Sequence, residues 1–569
     1  MVKLSREQRT GRDAKLQARE DQRSELDAYV KARPELVMTI DEQRELLHLR
    51  AVQVVDRIKS GKLSAEKVMV CMCLLARRAG QELAATTEEL FMRAIASARA
   101  ADEKLAREGE AACGPLHGLP ISIKDHIDVE GADSTAGIFS RIQAPRERNA
   151  PLVQALVDAG AIIFVKSNVP LSLMLPESMN DLWGRALNPW NRERTPGGSS
   201  GGEGALIACG ASFVGLGTDI GGSAGFSAPQ RDRRNGQQLI LSSPGPMARN
   251  VEDLEAIMRV LCAQQSPMYD LDPMLPPVPF RALRVPRSLP RLRIGVIASD
   301  EWFNVSAGCA RALEETRAVL QDLGHELVPF VVPGKWKFVE LYMGSMAAEG
   351  GLRNMKSGLD GTPFLDEYKE LEMIANAPTW LRKAVAPVLR RAGEPRKAFG
   401  FEISRRRTVM EYWELTKEVE KYRADFCALM KDQGVDALIC PGGALPALPH
   451  GVSKKLAVTA SLTYLFNLLH LPAGTVPVTT VRDDEEKFAH VDIQDEWQQI
   501  ATATLKGSAG LPAGVQVVTL PFQDELCLEI MREINENLQI DQPYPFIIDG
   551  DGRGAGDTLG RSREVDDEK

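Results

Sequence analysis

The sequence predicts an α/β protein in which helices alternate with short apolar strands of a mainly parallel or mixed sheet. Three observations carry this expectation. Ala and Leu recur at helical spacing among charges near the N-terminus, short apolar runs follow one another along the rest of the chain, and several of those runs are preceded by an amphipathic segment. The 569 residues, 44% hydrophobic and 26% charged, suit a large buried core and exclude a mostly disordered chain.

In order along the chain, residues Met1 to about Arg33 are dense in Lys, Arg, Glu and Asp and lack the apolar run of a secretory signal, so they predict a solvated helix or arm. Helical periodicity runs through Leu46 to Leu75 and again through Thr87 to Arg107. Strands are expected at Leu119–Lys124, Ala161–Val165, Arg293–Ile297, Ala437–Cys440 and Gly514–Val518, and helices at Pro151–Ala159 and Cys309–Leu323. The Pro-rich stretch from Asp272 to Pro290 reads as a surface connection, and the Gly- and Asp-rich end as a disordered tail. The expected organisation is a charged N-terminal arm or helix over 1–44, one large domain over 45–548 and a tail over 549–569.

A net charge of −9, from 69 basic and 78 acidic residues, gives no general attraction to nucleic acid. Nine cysteines without a C-x-x-C pair read as reduced thiols in a reducing compartment. Asp549-Gly-Asp551 begins like a calcium loop, but Arg553 and Gly560 stand at ligand positions, so no metal is expected. The longest apolar stretches, Val68–Ala76 and Leu206–Leu216, fall short of the roughly 18 residues that span a bilayer. The expectation is a cytoplasmic protein with neither signal peptide nor transmembrane segment.

The densest chemical signal is Pro196-Gly-Gly-Ser-Ser-Gly-Gly-Glu-Gly-Ala205, followed by Gly215-Leu-Gly-Thr-Asp-Ile-Gly-Gly-Ser-Ala224. Glycines permit positive φ and close backbone approach, so two such loops can aim several N–H groups at one point, as an oxyanion hole requires. Ser223 would then have the amides of Ile220, Gly221 and Gly222 beside its hydroxyl. Both loops also fit the G-x-S-x-G elbow of Ser-Asp-His hydrolases, for which His325, His450, His470 and His490 are available, none in a distinctive setting.

The segment Pro196 to Gly222 resembles the signature of the amidase signature family, and Leu116-His-Gly-Leu-Pro-Ile-Ser-Ile-Lys124-Asp resembles its lysine strand. Similar blocks occur at Ser167–Pro170, Leu187–Trp190, Gly245–Arg249, Leu471–Thr480, Gly510–Gln516 and Asp524–Glu533, so the likeness covers about residues 45 to 540. Within the family, the fatty-acid amide hydrolase branch is most similar. The resemblance implies a mixed twisted sheet sandwiched between helix layers, and an amidohydrolase that cleaves fatty-acid or other small amides through an acyl-serine intermediate without a cofactor. It implies the catalytic set Lys124, Ser199 and Ser223, with Ser223 acylated, Ser199 relaying its proton and following a cis peptide, and Lys124 as base. The amides of Ile220, Gly221, Gly222 and Ser223 match the family's oxyanion donors; Ser200 and Thr218 match supporting residues, and Leu173 a position near the acyl site.

The chain departs from the family after the nucleophile. Ala224-Gly-Phe-Ser-Ala-Pro229 and the charged run Gln230 to Gly236 stand where an arginine, a proline and a buried strand belong. Further on, Trp380, Leu381, Ala384, Val385, Val388 and Leu389 fall on one helical stripe ringed by Arg382, Lys383, Arg390 and Arg391, a pattern suited either to a bilayer interface or to ordinary core packing. Its likeness to the family's membrane cap, centred on Trp380 and Leu381, implies a peripheral association with intracellular membranes. A homodimer is also among the expectations. Two other functions fit the same residues: a glutaminase-type amidotransferase subunit, and an inactive homologue that binds lipid or a partner.

Overall fold

The computed structural model describes residues 4–221, 238–264, 266, 268–271, 278–281, 291–364, 368–538 and 540. Gly222, Ser223, the divergent segment 224–236, most of the Pro-rich connection and the 549–569 tail lie outside the described residues.

The charged N-terminal region forms helix α1 (Arg6–Ala32), opened by a Ser5/Gln8 capping box. Leu26 on α1 is buried in the core, Arg23 grips Glu89 through two hydrogen bonds of 2.7 and 2.8 Å, and Lys15 pairs with Glu88 and Asp133, each at 2.7 Å. The periodic stretch Leu46–Leu75 is three helices: α2 (Ile40–His48), α3 (Ala51–Lys59) and α4 (Ala65–Leu83). Gly61, at φ +69°, breaks it before α4, and Ser64 restarts it by accepting the Lys67 amide. The Thr87–Arg107 stretch is likewise divided, into strand β1 (Thr86–Glu89) and helix α5 (Phe91–Glu108). Antiparallel pairing of Thr86 with Ser167 and Glu89 with Val165 overrides the helical pattern there.

The next elements are β2 (Pro120–Lys124), α6 (Pro151–Asp158), β3 (Ile162–Ser167), the two-residue strands β4 (Met179–Asn180) and β5 (Gly184–Arg185), α7 (Gly201–Ala208), β6 (Val214–Asp219), β7 (Ser243–Ala248), α8 (Val251–Leu261) and α9 (Met268–Leu271). Strands in the order β1-β3-β2-β6-β7 make a mixed five-stranded sheet. β2 runs parallel to β3 and β6, whereas β7 returns antiparallel.

The second half comprises β8 (Arg293–Val296), α10 (Ala307–Asp322), β9 (Glu326–Pro329), α11 (Lys337–Met346), α12 (Arg353–Gly358), α13 (Lys369–Asn376), α14 (Thr379–Arg391), α15 (Pro395–Ile403), α16 (Val409–Asp432), β10 (Ala437–Pro441), α17 (Ser453–Leu456), α18 (Ser461–Leu469), β11 (Ala473–Thr480), α19 (Glu496–Leu505), β12 (Pro512–Thr519) and α20 (Asp524–Asn537). Its five strands are ordered β11-β12-β10-β8-β9. Strand alternation divides the core here: Ala437 and Ile439 face α10 and α20, while Leu438 and Cys440 face α11, α16 and α18. This sheet is therefore sandwiched between helix layers. The expected strands appear within a residue or two of their predicted bounds.

Candidate active site

Alternation along β2 decides which side chains can do chemistry. Ile121 and Ile123 enter the apolar core, and Ser122 and Lys124 point to the other face, toward α7. Lys124 is fully buried, with Nζ 2.7 Å from Ser199 Oγ, 2.8 Å from Thr218 Oγ1 and 3.2 Å from the Thr218 carbonyl. Burial lowers its pKa to about 7, against the opposing pull of Asp219 and Glu203. An ordinary lysine near 10.4 is neutral about once in 2,500 at pH 7, and burial shifts this one strongly toward the neutral form.

Ser199 stands just before α7, after a cis Gly198–Ser199 peptide. The turn depends on glycine in two ways. Gly197 has φ +95°, and a Cβ on Gly198 would lie 2.6 Å from the Glu177 nitrogen and 2.7 Å from the Leu175 carbonyl. Ser178 holds the next turn by accepting the Gly201 amide at 3.0 Å. Buried Glu177 ties this wall to the second half, accepting from Ser453 Oγ at 2.7 Å and the Gly451 amide at 3.0 Å. Ser200 Oγ accepts the Thr218 amide and lies 3.2 Å from the Thr218 carbonyl, joining α7 to β6.

The second glycine-rich segment corrects the expectation of a loop, because residues 214–219 form the buried strand β6 beside β2. Its glycines admit neighbouring side chains and do not adopt positive φ. A Cβ on Gly215 would meet Glu203 Oε2 at 1.9 Å, and one on Gly217 would meet Met247 Sδ at 2.8 Å and Ser200 Oγ at 3.0 Å. Ile220 and Gly221, the first candidate oxyanion amides, follow β6 directly, two and three residues beyond Thr218, whose Oγ1 lies 2.8 Å from Lys124 Nζ.

The Amidase family model matches residues 71–226 and 227–528. The chain is 35% identical to fatty-acid amide hydrolase 1 of Sus scrofa over 92% of each protein, and 33% identical to fatty acid amide hydrolase 1 of Caenorhabditis elegans over 74% of this chain and 76% of that one. The chain belongs to the amidase family. Its fold matches a solved fatty acid amide hydrolase with a TM-score of 0.76 at 22% identity, covering 95% of this chain and 92% of that one. A bacterial aryl acylamidase matches with a TM-score of 0.65 at 20% identity, over 87% of this chain and 97% of that one. As an amidase, the chain is a hydrolase of amide bonds.

Other predicted site residues of this amidase sit elsewhere. Leu173, at φ +68°, ends a short turn beside the apolar cluster of Ala136, Ile138, Leu171 and Leu175. The histidines have other work: His325 contacts Glu533 at 2.8 Å, His450 contacts Glu177 at 3.1 Å, His470 contacts Arg423 at 2.9 Å, and exposed His490 contacts Asp492 at 2.8 Å. Among the described residues none touches Lys124 or Ser199.

The stripe on α14 also requires correction. Arg382 and Ala386 face inward, Leu381, Val385 and Leu389 are half-buried, and Trp380, Ala384 and Val388 are exposed. Arg382 spends its guanidinium on the carbonyls of Ile374, Ala375, Ala377 and Phe401. Nor is this region a free cationic patch. Arg396 is buried against Asp495, while Arg390 pairs with Glu402, Lys397 with Glu496 and Arg405 with Glu411, and two of these acids, Asp495 and Glu496, are distant in sequence.

Sequence reasoning missed Glu203, a buried carboxyl on α7 whose Oε2 lies 2.6 Å from Ser122 Oγ and whose pKa burial raises to about 7. Its only signal was an acid inside a run of glycines.

Proposed function

We propose that this amidase hydrolyses fatty-acid amides through an acyl-enzyme on Ser223, with Ser199 as proton relay and Lys124 as base. The observation that carries the reading is the contact of a buried Lys124, its pKa lowered by desolvation to about 7, with Ser199 Oγ at 2.7 Å. In this mechanism Ser223 Oγ bonds to the amide carbon as its proton passes to Ser199, and the Ser199 proton passes to Lys124 Nζ. The amides of Ile220 to Ser223 stabilise the tetrahedral oxyanion. Collapse breaks the C–N bond while Lys124, through Ser199, returns the proton to the amine; water then repeats the sequence on the ester.

The fatty-acyl preference is supported by the relatives' named activity and by an apolar exterior. Met373, Trp380 and Val388 on α13 and α14, with Val409, Met410 and Trp413 at the start of α16, are each more than 60% exposed. No helix among the described residues is long and apolar enough to cross a membrane. A surface of this kind is suited to shallow insertion at a lipid interface.

Treatment with a fluorophosphonate, followed by intact mass and peptide mapping, tests the chemistry. The parent should take one label on Ser223, and Ser223→Ala should lose both label and turnover while staying folded. Label on another residue overturns the assignment, and ammonia release from glutamine in preference to oleamide overturns the substrate class.

A further inference from the structure

The segment that carries the oxyanion donors is held from outside by two hydroxyls of the second half. Tyr342 on α11 donates from its phenol to the Ile220 carbonyl at 3.1 Å, and Thr463 on α18 shares its one hydroxyl proton between the Gly221 carbonyl at 2.8 Å and the Ala460 carbonyl of its own helical turn at 2.7 Å. The two anchors belong to one unit, because Tyr342 stacks on Tyr464, the neighbour of Thr463, with ring centroids 4.3 Å apart and planes 14° from parallel.

In a trans peptide the C=O and the following N–H point in opposite directions. A donor fixed on the Ile220 carbonyl therefore fixes the direction of the Gly221 N–H. The need is physical, since glycine populates both signs of φ and a peptide plane next to it can flip at little steric cost. A donor that has flipped away from the developing charge contributes nothing to the transition state. Burial raises the Tyr342 phenol far above its ordinary value, so it keeps its proton and remains a donor across the working pH range.

We infer that Tyr342 and Thr463 are positioning residues that orient the oxyanion peptides of this amidase, so that the second half of the chain sets the catalytic competence of a loop belonging to the first. The inference rests on the proposed oxyanion role of Ile220 and Gly221 and adds the groups that enforce it.

The test uses Tyr342→Phe, which keeps the ring stack and removes only the donor, Thr463→Val, which removes the hydroxyl at nearly constant volume, and Thr463→Ser, which retains the hydroxyl with one methyl fewer. For each, kcat and KM on oleamide are measured beside inhibition by an oleyl trifluoromethyl ketone, which forms a tetrahedral adduct, and by oleyl alcohol, which does not. Losing one oxyanion donor outright costs about 100- to 1,000-fold, so a misdirected one should lower kcat about tenfold. KM and alcohol binding should stay within twofold, while affinity for the ketone falls in step with kcat. Thr463→Ser should match the parent, and Tyr342→Phe/Thr463→Val should lose about 100-fold. The inference is overturned if kcat and ketone affinity stay within twofold in both single variants, or if the loss appears equally in KM and alcohol binding, as for simple pocket lining. Fluorophosphonate labelling of the parent separates the two levels: no label on Ser223 defeats the proposed mechanism, whereas normal labelling with unaffected variants defeats only the anchoring. Near-UV circular dichroism checks the fold of each variant, and Thr463→Val carries the test alone should the phenylalanine variant unfold.

Discussion

Under the proposed mechanism one buried side chain, Lys124, sets the pH profile. Its folded pKa, lowered by desolvation to about 7, means that the neutral base fraction grows as pH rises through neutrality. The kcat/KM for a soluble amide should therefore climb through an apparent pKa near 7 and level off above about pH 8. Lys124→Ala should cost at least about 100-fold and abolish the climb, because a general base contributes about 100- to 10,000-fold. A rising limb that survives the substitution would assign the titration to another group. Lys124 and Ser199 were legible in the sequence because each sits within a contiguous motif. Glu203, Tyr342 and Thr463 were not, because their importance lies in what they touch: Ser122, the Ile220 carbonyl and the Gly221 carbonyl.

At the scale of the element, β6 is the instructive case. A glycine-rich sequence suggests a loop, yet Val214–Asp219 pairs with β2 on one side and β7 on the other. The glycines are there because Glu203 of α7 and Ser200 just before it occupy the space a Cβ would take. Gly215→Ala should thus destabilise the fold by about 1–3 kcal/mol through overpacking, and displace the Glu203 carboxylate. Gly11 on α1 offers the contrast, since a Cβ there meets nothing within 4 Å. Gly11→Ala should stabilise by about 0.5–1 kcal/mol, the helix-propensity gain alone. Calorimetric melting of the two variants checks both signs; destabilisation by Gly11→Ala, or none by Gly215→Ala, would contradict this steric account. The helical periodicity over Leu46–Leu75 is carried by three helices, because apolar spacing continues through short breaks that only the Gly61 turn and the Ser64 cap reveal.

Across the whole molecule, contacts distant in sequence turn apparent surface charge into structure. Arg396 and Asp495 lie 99 residues apart and both are fully buried, with Arg396 also donating to the Trp302 carbonyl at 3.0 Å. Arg396→Met strands the Asp495 carboxylate and should cost about 3–5 kcal/mol of unfolding free energy, whereas Arg396→Met/Asp495→Asn, which keeps a cap for α19, should recover much of it. Denaturant melts of the single and double variants measure the difference, and equal losses would refute the stranded-charge explanation. The same pairing changes the expected membrane behaviour. With most cations of the cap region buried or paired, binding to vesicles should depend on apolar insertion and weaken little in salt. Trp380→Ser/Trp413→Ser should release the protein from zwitterionic vesicles and raise KM for oleamide more than for acetamide-sized substrates. Salt-reversible binding only to anionic vesicles would restore a cationic patch as the cause.

The sequence by itself determined the α/β class, the amidase family and the local pieces of the site: the lysine strand, the Gly-Gly-Ser-Ser turn and the strand bounds. Those features depend on residue type and short-range spacing, which a linear pattern records. The tertiary structure alone decided that Gly215 to Asp219 is a core strand, that Arg382 faces inward, that Asp495 neutralises Arg396 and that α11 and α18 contact the Ile220 and Gly221 carbonyls. Each of these depends on which groups share a low-dielectric interior, where an unmade hydrogen bond or unpaired charge is expensive. Packing settles that condition between parts of the chain that sequence order keeps far apart.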